Sequence, residues 1–195
     1  MLTLSAYGDD MDFYAFKGHV ETALKGLRIP AVRFAAEKGN PSYHPGRCAV
    51  VYSGETLLGV FGQVHPTVAA NFGAEAELYA AELQFDALFA CRSGDPIYQP
   101  LPRFPSVTRD IAVLADAALT VGELSDCIRR NGGEFLREVK FFDVYAGKGI
   151  PEGKKSVAFS LVLRSDEGTL TFEHADGTIK GILAGLEAEL GAVMR

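Results

Sequence analysis

The sequence predicts an α+β protein built in two parts, and three observations predict it. The first is a proline-dense stretch in which Arg92-Ser93-Gly94-Asp95-Pro96 is followed by Pro100, Pro102 and Pro105. Proline lacks an amide donor and drives the preceding residue toward extended backbone, so this stretch reads as a stiff connector. A boundary near Tyr98 then separates residues 1–98 from residues 99–195. The second observation is that Phe141–Tyr145 and Lys154–Phe159 both alternate in character on either side of the loop 146–153, as paired strands do. The third is the order β-α-β-β-α-β through the second part, the ferredoxin-like arrangement, which places both helices on one side of a sheet.

Composition narrows the classes further. With 195 residues, 48% hydrophobic and 23% charged, the chain suits two domains of ordinary globular make-up. It contains no apolar run of the roughly 18 residues a membrane span requires. Met1 to Asp12 lacks a basic region followed by an apolar stretch, so no secretory signal is expected. Cys48, Cys91 and Cys127 are widely spaced and odd in number, which suits reduced thiols in a cytoplasmic protein. A net charge of −6 disfavours a protein that coats nucleic acid by bulk charge, and it leaves room for a local site.

In the first part, Asp12 is placed to cap a helix carrying Phe13, Phe16, Val20, Leu24 and Leu27 at helical spacing. Cys48–Tyr52 and Leu57–Phe61 flank the turn Ser53-Gly54-Glu55-Thr56 and predict a hairpin. Thr67–Phe72 fits a short helix and Leu78–Leu83 a further strand.

In the second part, Val107–Leu114 reads as a strand. Thr120 with Glu123 forms a capping box for a helix bearing Val121, Leu124 and Ile128, which ends at Asn131-Gly132-Gly133. The hairpin follows, then a helix after Thr171 with Ile179, Ile182, Leu183, Leu186 and Leu190 on one side. Val193–Arg195 supplies a last short strand. Gly177, Gly181 and Gly185 recur every four residues in that last helix. They are read as a weak helix held by its packed side, each costing about 0.5–1 kcal/mol relative to alanine.

No catalytic residue is expected. The chain contains no dinucleotide-binding glycine fingerprint, no phosphate-binding P-loop, no zinc-protease motif and no nucleophile elbow. His44 and Cys48 would need two further ligands to hold zinc, so no metal site is expected, and the His44-Pro45 and His65-Pro66 units are read as turn formers. Arg47 suits a carboxylate or phosphate, or a structural ion pair.

The hairpin is the stronger candidate. Val157, Phe159, Leu161 and Leu163 make one apolar side of their strand and leave Ser156, Ala158 and Ser160 opposite. In the partner strand, Phe142 and Val144 are expected on one side, with Phe141, Asp143 and Tyr145 on the other. Pairing of Tyr145 near Lys154 would bring Asp143 near Ser156. The uncovered side then offers a ring for base stacking, with Asp143 and Ser156 for base edges, and Lys148, Lys154 and Lys155 for phosphates. An open sheet side also suits a small ligand or a protein partner, so a stand-alone regulatory or interaction module is the alternative reading.

The residues Leu101-Pro102-Arg103-Phe104-Pro105-Ser106-Val107, Arg109-Asp110, Phe142-Asp143-Val144-Tyr145, Gly149-Ile150-Pro151-Glu152-Gly153-Lys154-Lys155-Ser156 and Leu170-Thr171 resemble the ferredoxin-fold anticodon-binding domain of bacterial phenylalanyl-tRNA synthetase beta subunits. Asp12-Phe13-Tyr14-Ala15-Phe16-Lys17-Gly18, His44-Pro45-Gly46-Arg47 and Gly62-Gln63-Val64-His65-Pro66 are similar to that family's class II synthetase-like domain. The resemblance implies that Tyr145 stacks on the first anticodon base of tRNA(Phe) and that Asp143 and Ser156 contact anticodon bases. It implies a catalytically silent first part supporting an alpha subunit that binds phenylalanine and ATP with magnesium, in an assembly of two alpha and two beta chains. The glycine-containing strand Gly59–Gln63 leads to Val64-His65-Pro66, without the ATP-gripping arginine of active class II enzymes. The chain resembles a C-terminal fragment, since the family's preceding modules have no counterpart in it. Phe172-Glu173-His174 departs from the family pattern after Thr171, which weakens the expected helix cap.

Overall fold

A computed structural model describes residues 1–98 and 100–195, and the chain divides into two compact units, Met1–Tyr98 and Gln99–Arg195. The first unit is an antiparallel sheet of five strands: β1 (Leu2–Tyr7), β2 (Val32–Ala36), β3 (Tyr43–Ser53), β4 (Thr56–Val64) and β5 (Leu78–Leu83), in the spatial order β1-β5-β4-β3-β2. Three helices accompany it: α1 (Phe13–Gly26), α2 (Pro66–Asn71) and α3 (Phe85–Cys91). Asp12 caps α1 by accepting the Ala15 amide at 2.7 Å. Phe16, Val20 and Leu24 then bury against Val51, Phe61, Tyr79 and Leu83, so the helical period meets the strand period across one apolar layer.

The expectation from sequence contained neither β1, β2 nor α3. Both missing strands lie at sheet edges and owe their order to distant partners, as in Leu2 opposite Leu83 and Val32 opposite Ser53. No local signal carries such pairings.

The second unit contains β6 (Val107–Asp116), α4 (Val121–Asn131), β7 (Leu136–Tyr145), β8 (Lys154–Leu163), α5 (Phe172–Leu190) and β9 (Val193–Met194). Its antiparallel sheet runs β7-β8-β6-β9, so β8 and β6 are central. Leu124, Cys127 and Ile128 of α4 and Ile182 and Leu186 of α5 pack on Ile111, Val113, Val157, Phe159 and Leu161. Both helices therefore cover one side of the sheet. The side chains that alternate with these core residues project from the other.

Helix α4 begins with a reciprocal cap. The Thr120 amide and hydroxyl both donate to Glu123 at 2.7 Å, and the Glu123 amide donates to Thr120 Oγ1 at 3.2 Å. These bonds, the backbone one first, hold the Glu123 carboxyl below its ordinary range. Thr171 caps α5 by accepting the His174 amide at 3.3 Å, so the departure at Phe172-Glu173-His174 leaves the hydroxyl cap in place.

The glycine stripe of α5 requires a correction. A methyl group at Gly185 would fall within the carboxamide of Asn131, whereas one at Gly177 would meet nothing within 4 Å. Gly185 therefore permits the close approach of α4 and α5, while Gly177 is a plain weakness. Asn131 uses that space to donate to the Cys127 carbonyl at 3.0 Å and to Glu189 Oε1 at 2.8 Å, and Arg130 reaches Glu189 Oε2 at 2.6 Å.

Two stability outcomes follow. Gly185→Ala should destabilise by about 1–3 kcal/mol through overpacking, and Gly177→Ala should stabilise by about 0.5–1 kcal/mol, both read by urea denaturation. Glu123→Gln should cost about 0.3–1 kcal/mol at neutral pH, the value of a charge at a helix N-terminus. Because the native pKa is lowered, that stabilisation is present above the unfolded value near 4.3 and is lost as pH falls through the native one. Denaturation curves of variant and wild type should therefore converge in acid.

A candidate nucleic-acid interface on the uncovered sheet side

The site is built where β7 ends and β8 begins. Tyr145 pairs with Ser156, Val144 with Val157 and Asp143 with Ala158. The expected register, Tyr145 near Lys154, is thus displaced by two residues. Lys154 closes a turn instead, its amide donating to Pro151 at 3.1 Å, and it pairs with Asp116 of β6. A shift of two preserves which side each residue occupies, so Tyr145, Asp143 and Ser156 still share the uncovered side.

Phe141 does not join them. A β-bulge between Phe141 and Asp143 leaves Phe142 as the extra residue. Phe141 consequently pairs with Phe159 on the helix side, edge to face with ring centroids 6.2 Å apart. Strict alternation through β7 could not reveal this, because a bulge resets the alternation without leaving a gap in the sequence.

Lys155 is also displaced from the expected group. It alternates with Val157 and Phe159, so it stands on the helix side, where Nζ donates to the Ala117 carbonyl at 3.1 Å and lies near Glu123. Lys154 is on the uncovered side with its ammonium 3.9 Å from Asp116. Lys148 lies in the loop, and its carbonyl accepts the Tyr145 hydroxyl at 3.2 Å.

A further residue completes the group. The Arg195 amide donates to Ala112 at 2.9 Å, which continues the β9 pairing and puts Arg195 on the uncovered side. Its guanidinium lies 5.7 Å from the Tyr145 ring centroid, a cation–π distance. Ser156 stands between Leu114 and Tyr145 in neighbouring strands and is only 4% exposed, whereas Tyr145 is 41% exposed. The serine is therefore sheltered beside the ring and the arginine. The strand Val193–Arg195 was legible, but its position beside β6 was not, so nothing in the sequence linked Arg195 to Tyr145.

The charges on this side are mixed. Asp110, Asp116, Glu138 and Asp143 share it with Lys140, Lys154 and Arg195. A flat ring among charges of both signs favours stacking and edge recognition over bulk attraction. Depressions of about 490 Å³ beside Arg129 and Leu136–Val139, and of about 410 Å³ beside Leu24, Ile29 and Phe34, lie elsewhere. A stacking platform is a surface and needs no cavity.

The polar residues of the first unit are engaged structurally. Arg47 donates to Gln63 at 2.8 Å and contacts Glu77 at 3.3 Å, while the Tyr79 hydroxyl donates to Glu77 at 2.9 Å. Tyr79 first, then Arg47, keeps the Glu77 carboxyl below its ordinary range. His44 and His65 accept the amides of Gly46 and Thr67 through Nδ1. Burial first, then Glu37, pushes the Cys48 thiol up to about 11, opposite to the thiolate a metal would need. Among the described residues, no group of three or more His, Cys, Asp or Glu could hold a metal ion. Among the described residues, no helix is long and apolar enough to cross a membrane.

Residues 102–195 match the family model of the ferredoxin-fold anticodon binding domain, so the second unit is similar to modules of that class. Residues 2–85 match the phenylalanyl tRNA synthetase beta chain CLM domain. Along its length the chain is similar to phenylalanine–tRNA ligase beta subunits. It is 40% identical over 195 residues to that of Clostridium acetobutylicum, 39% over 194 residues to that of Clostridium tetani, and 41% over 184 residues to that of Symbiobacterium thermophilum. These alignments cover 100%, 100% and 94% of this chain and 24%, 24% and 20% of the respective relatives. The chain thus spans about a quarter or less of the length of the curated relatives it matches.

Proposed function

We propose that this chain acts within a phenylalanine–tRNA ligase as the part of the beta subunit that reads the anticodon of tRNA(Phe). The observation that carries the reading is the convergence of Tyr145, Asp143 and Ser156 on the helix-free side of the sheet, within the residues that match an anticodon-binding domain. Tyr145 offers its ring to the first anticodon base. Asp143 is open for the exocyclic donors of a base edge, and Ser156 reaches a base edge once the cover beside it moves. Lys154, Lys148 and Arg195 steer phosphates. Lys155 is left to brace the start of α4.

Residues 1–98 are the class II synthetase-like support that docks on the alpha subunit, and residues 99–195 are the RNA-reading domain. The assembly has two alpha and two beta chains in the cytoplasm, and ATP with magnesium serves the alpha subunit. Within the first unit, the engagement of Arg47 and the valine, histidine and proline after Gln63 support a silent module.

Titration of the chain with a tRNA(Phe) anticodon stem-loop tests the reading. Tyr145→Ala should weaken binding by about 1–3 kcal/mol, the loss of one stacked base. Equal affinity of variant and wild type would remove the anticodon role from this surface. Affinity should also fall as salt rises, with a log–log slope of about −0.7 to −0.9 for each phosphate contacted. The chain alone should give no phenylalanine-dependent ATP–pyrophosphate exchange. Turnover above background would refute the silent-support assignment.

A further inference from the structure

The Tyr145 ring is held by a device in the loop that follows it. Its hydroxyl donates to the Lys148 carbonyl, and the ring end folds across Gly147. A methyl group at residue 147 would stand 2.9 Å from the Tyr145 hydroxyl oxygen and 3.0 Å from Cζ. The nearest atoms to that position, beyond the adjoining residues, all belong to the Tyr145 side chain. Gly147 does not have the positive φ of Gly149 and Gly153, so its backbone conformation is open to any residue. The loop carrying it is braced at both ends, by Ile150 N donating to Gly147 O at 3.0 Å and Lys154 N to Pro151 O at 3.1 Å.

These facts separate Gly147 from Gly59 and Gly62. A side chain at Gly62 or Gly59 would strike strand backbone, which cannot yield without disturbing the sheet. At Gly147 the obstacle is the far end of one side chain, which can swing away. A methyl there would therefore leave the fold intact and cost the ring its position.

We infer that Gly147 and the Lys148 carbonyl are positioning groups for base stacking, fixing Tyr145 in one orientation before RNA arrives. The inference rests on the anticodon reading of Tyr145. A ring already immobilised loses little rotamer freedom on binding, whereas a freed ring must be ordered again at the expense of affinity. The tether has a second consequence. With its hydroxyl committed to Lys148, Tyr145 contributes a stacking surface and leaves hydrogen-bond reading to Asp143 and Ser156.

The test is a double-mutant cycle on the whole chain, with the tRNA(Phe) anticodon stem-loop as probe and ¹³C-labelled tyrosine to report the ring. Gly147→Ala should move the Tyr145 ring signals, leave the melting temperature nearly unchanged, and weaken binding roughly 3–10-fold. In a Tyr145→Ala background the same substitution should change affinity less than about 2-fold, because the ring it displaces is gone. An equal loss in both backgrounds, or unmoved ring signals, overturns the positioning role while leaving the stacking role standing. If Tyr145→Ala binds as wild type does, the anticodon reading itself fails, and the positioning role in RNA binding falls with it. A Gly147→Ala chain that unfolds would make the glycine structural and overturn the inference as well.

Discussion

The second unit depends on the two-residue period of β8. This strand is hydrogen-bonded on both flanks, to β6 and β7, so its side chains can go only up or down. Val157, Phe159, Leu161 and Leu163 go under the helices and are fully buried. At roughly 1.5–3 kcal/mol for each buried side chain of this kind, a one-residue slip would be prohibitive. Ser156, Ala158 and Ser160 have no such choice to make: they occupy the uncovered side because the apolar residues have claimed the other.

That separation explains how one small domain combines a dry core with an open polar surface. The apolar side is closed by α4 and α5, whose mutual approach depends on the missing side chain at Gly185. The polar side stays free because both crossovers lie beneath it. The bulge in β7 works within the same scheme. It returns Phe141 to Phe159 on the core side and still delivers Asp143 and Tyr145 to the other. The exposed edge of β7 is also interrupted there, which discourages pairing with another chain.

The first unit shows the same economy in its polar residues. His44 and His65 shape turns, Arg47 pairs with Glu77, and burial pushes the Cys48 thiol up. Such residues read in isolation suggest chemistry. In the fold each is already satisfied by a neighbour, and a satisfied group is a poor catalyst.

Local chemistry by itself determined the capped helices, the hairpin, the βαββαβ order of the second unit, and the common side of Tyr145, Asp143 and Ser156. These depend on side-chain period, caps and turns, all of which act over a few residues. The edge strands β1 and β2, the bulge at Phe142, the reversal of Lys155 and the two-residue register shift were decided by tertiary structure. So were the meeting of Arg195 with Tyr145 and the room for Asn131 at Gly185. Each arises from a partner far along the chain or from one inserted residue, and periodicity carries no information about either. The sequence singled out the Tyr145 ring; only the folded chain showed what holds that ring and what shelters the serine beside it.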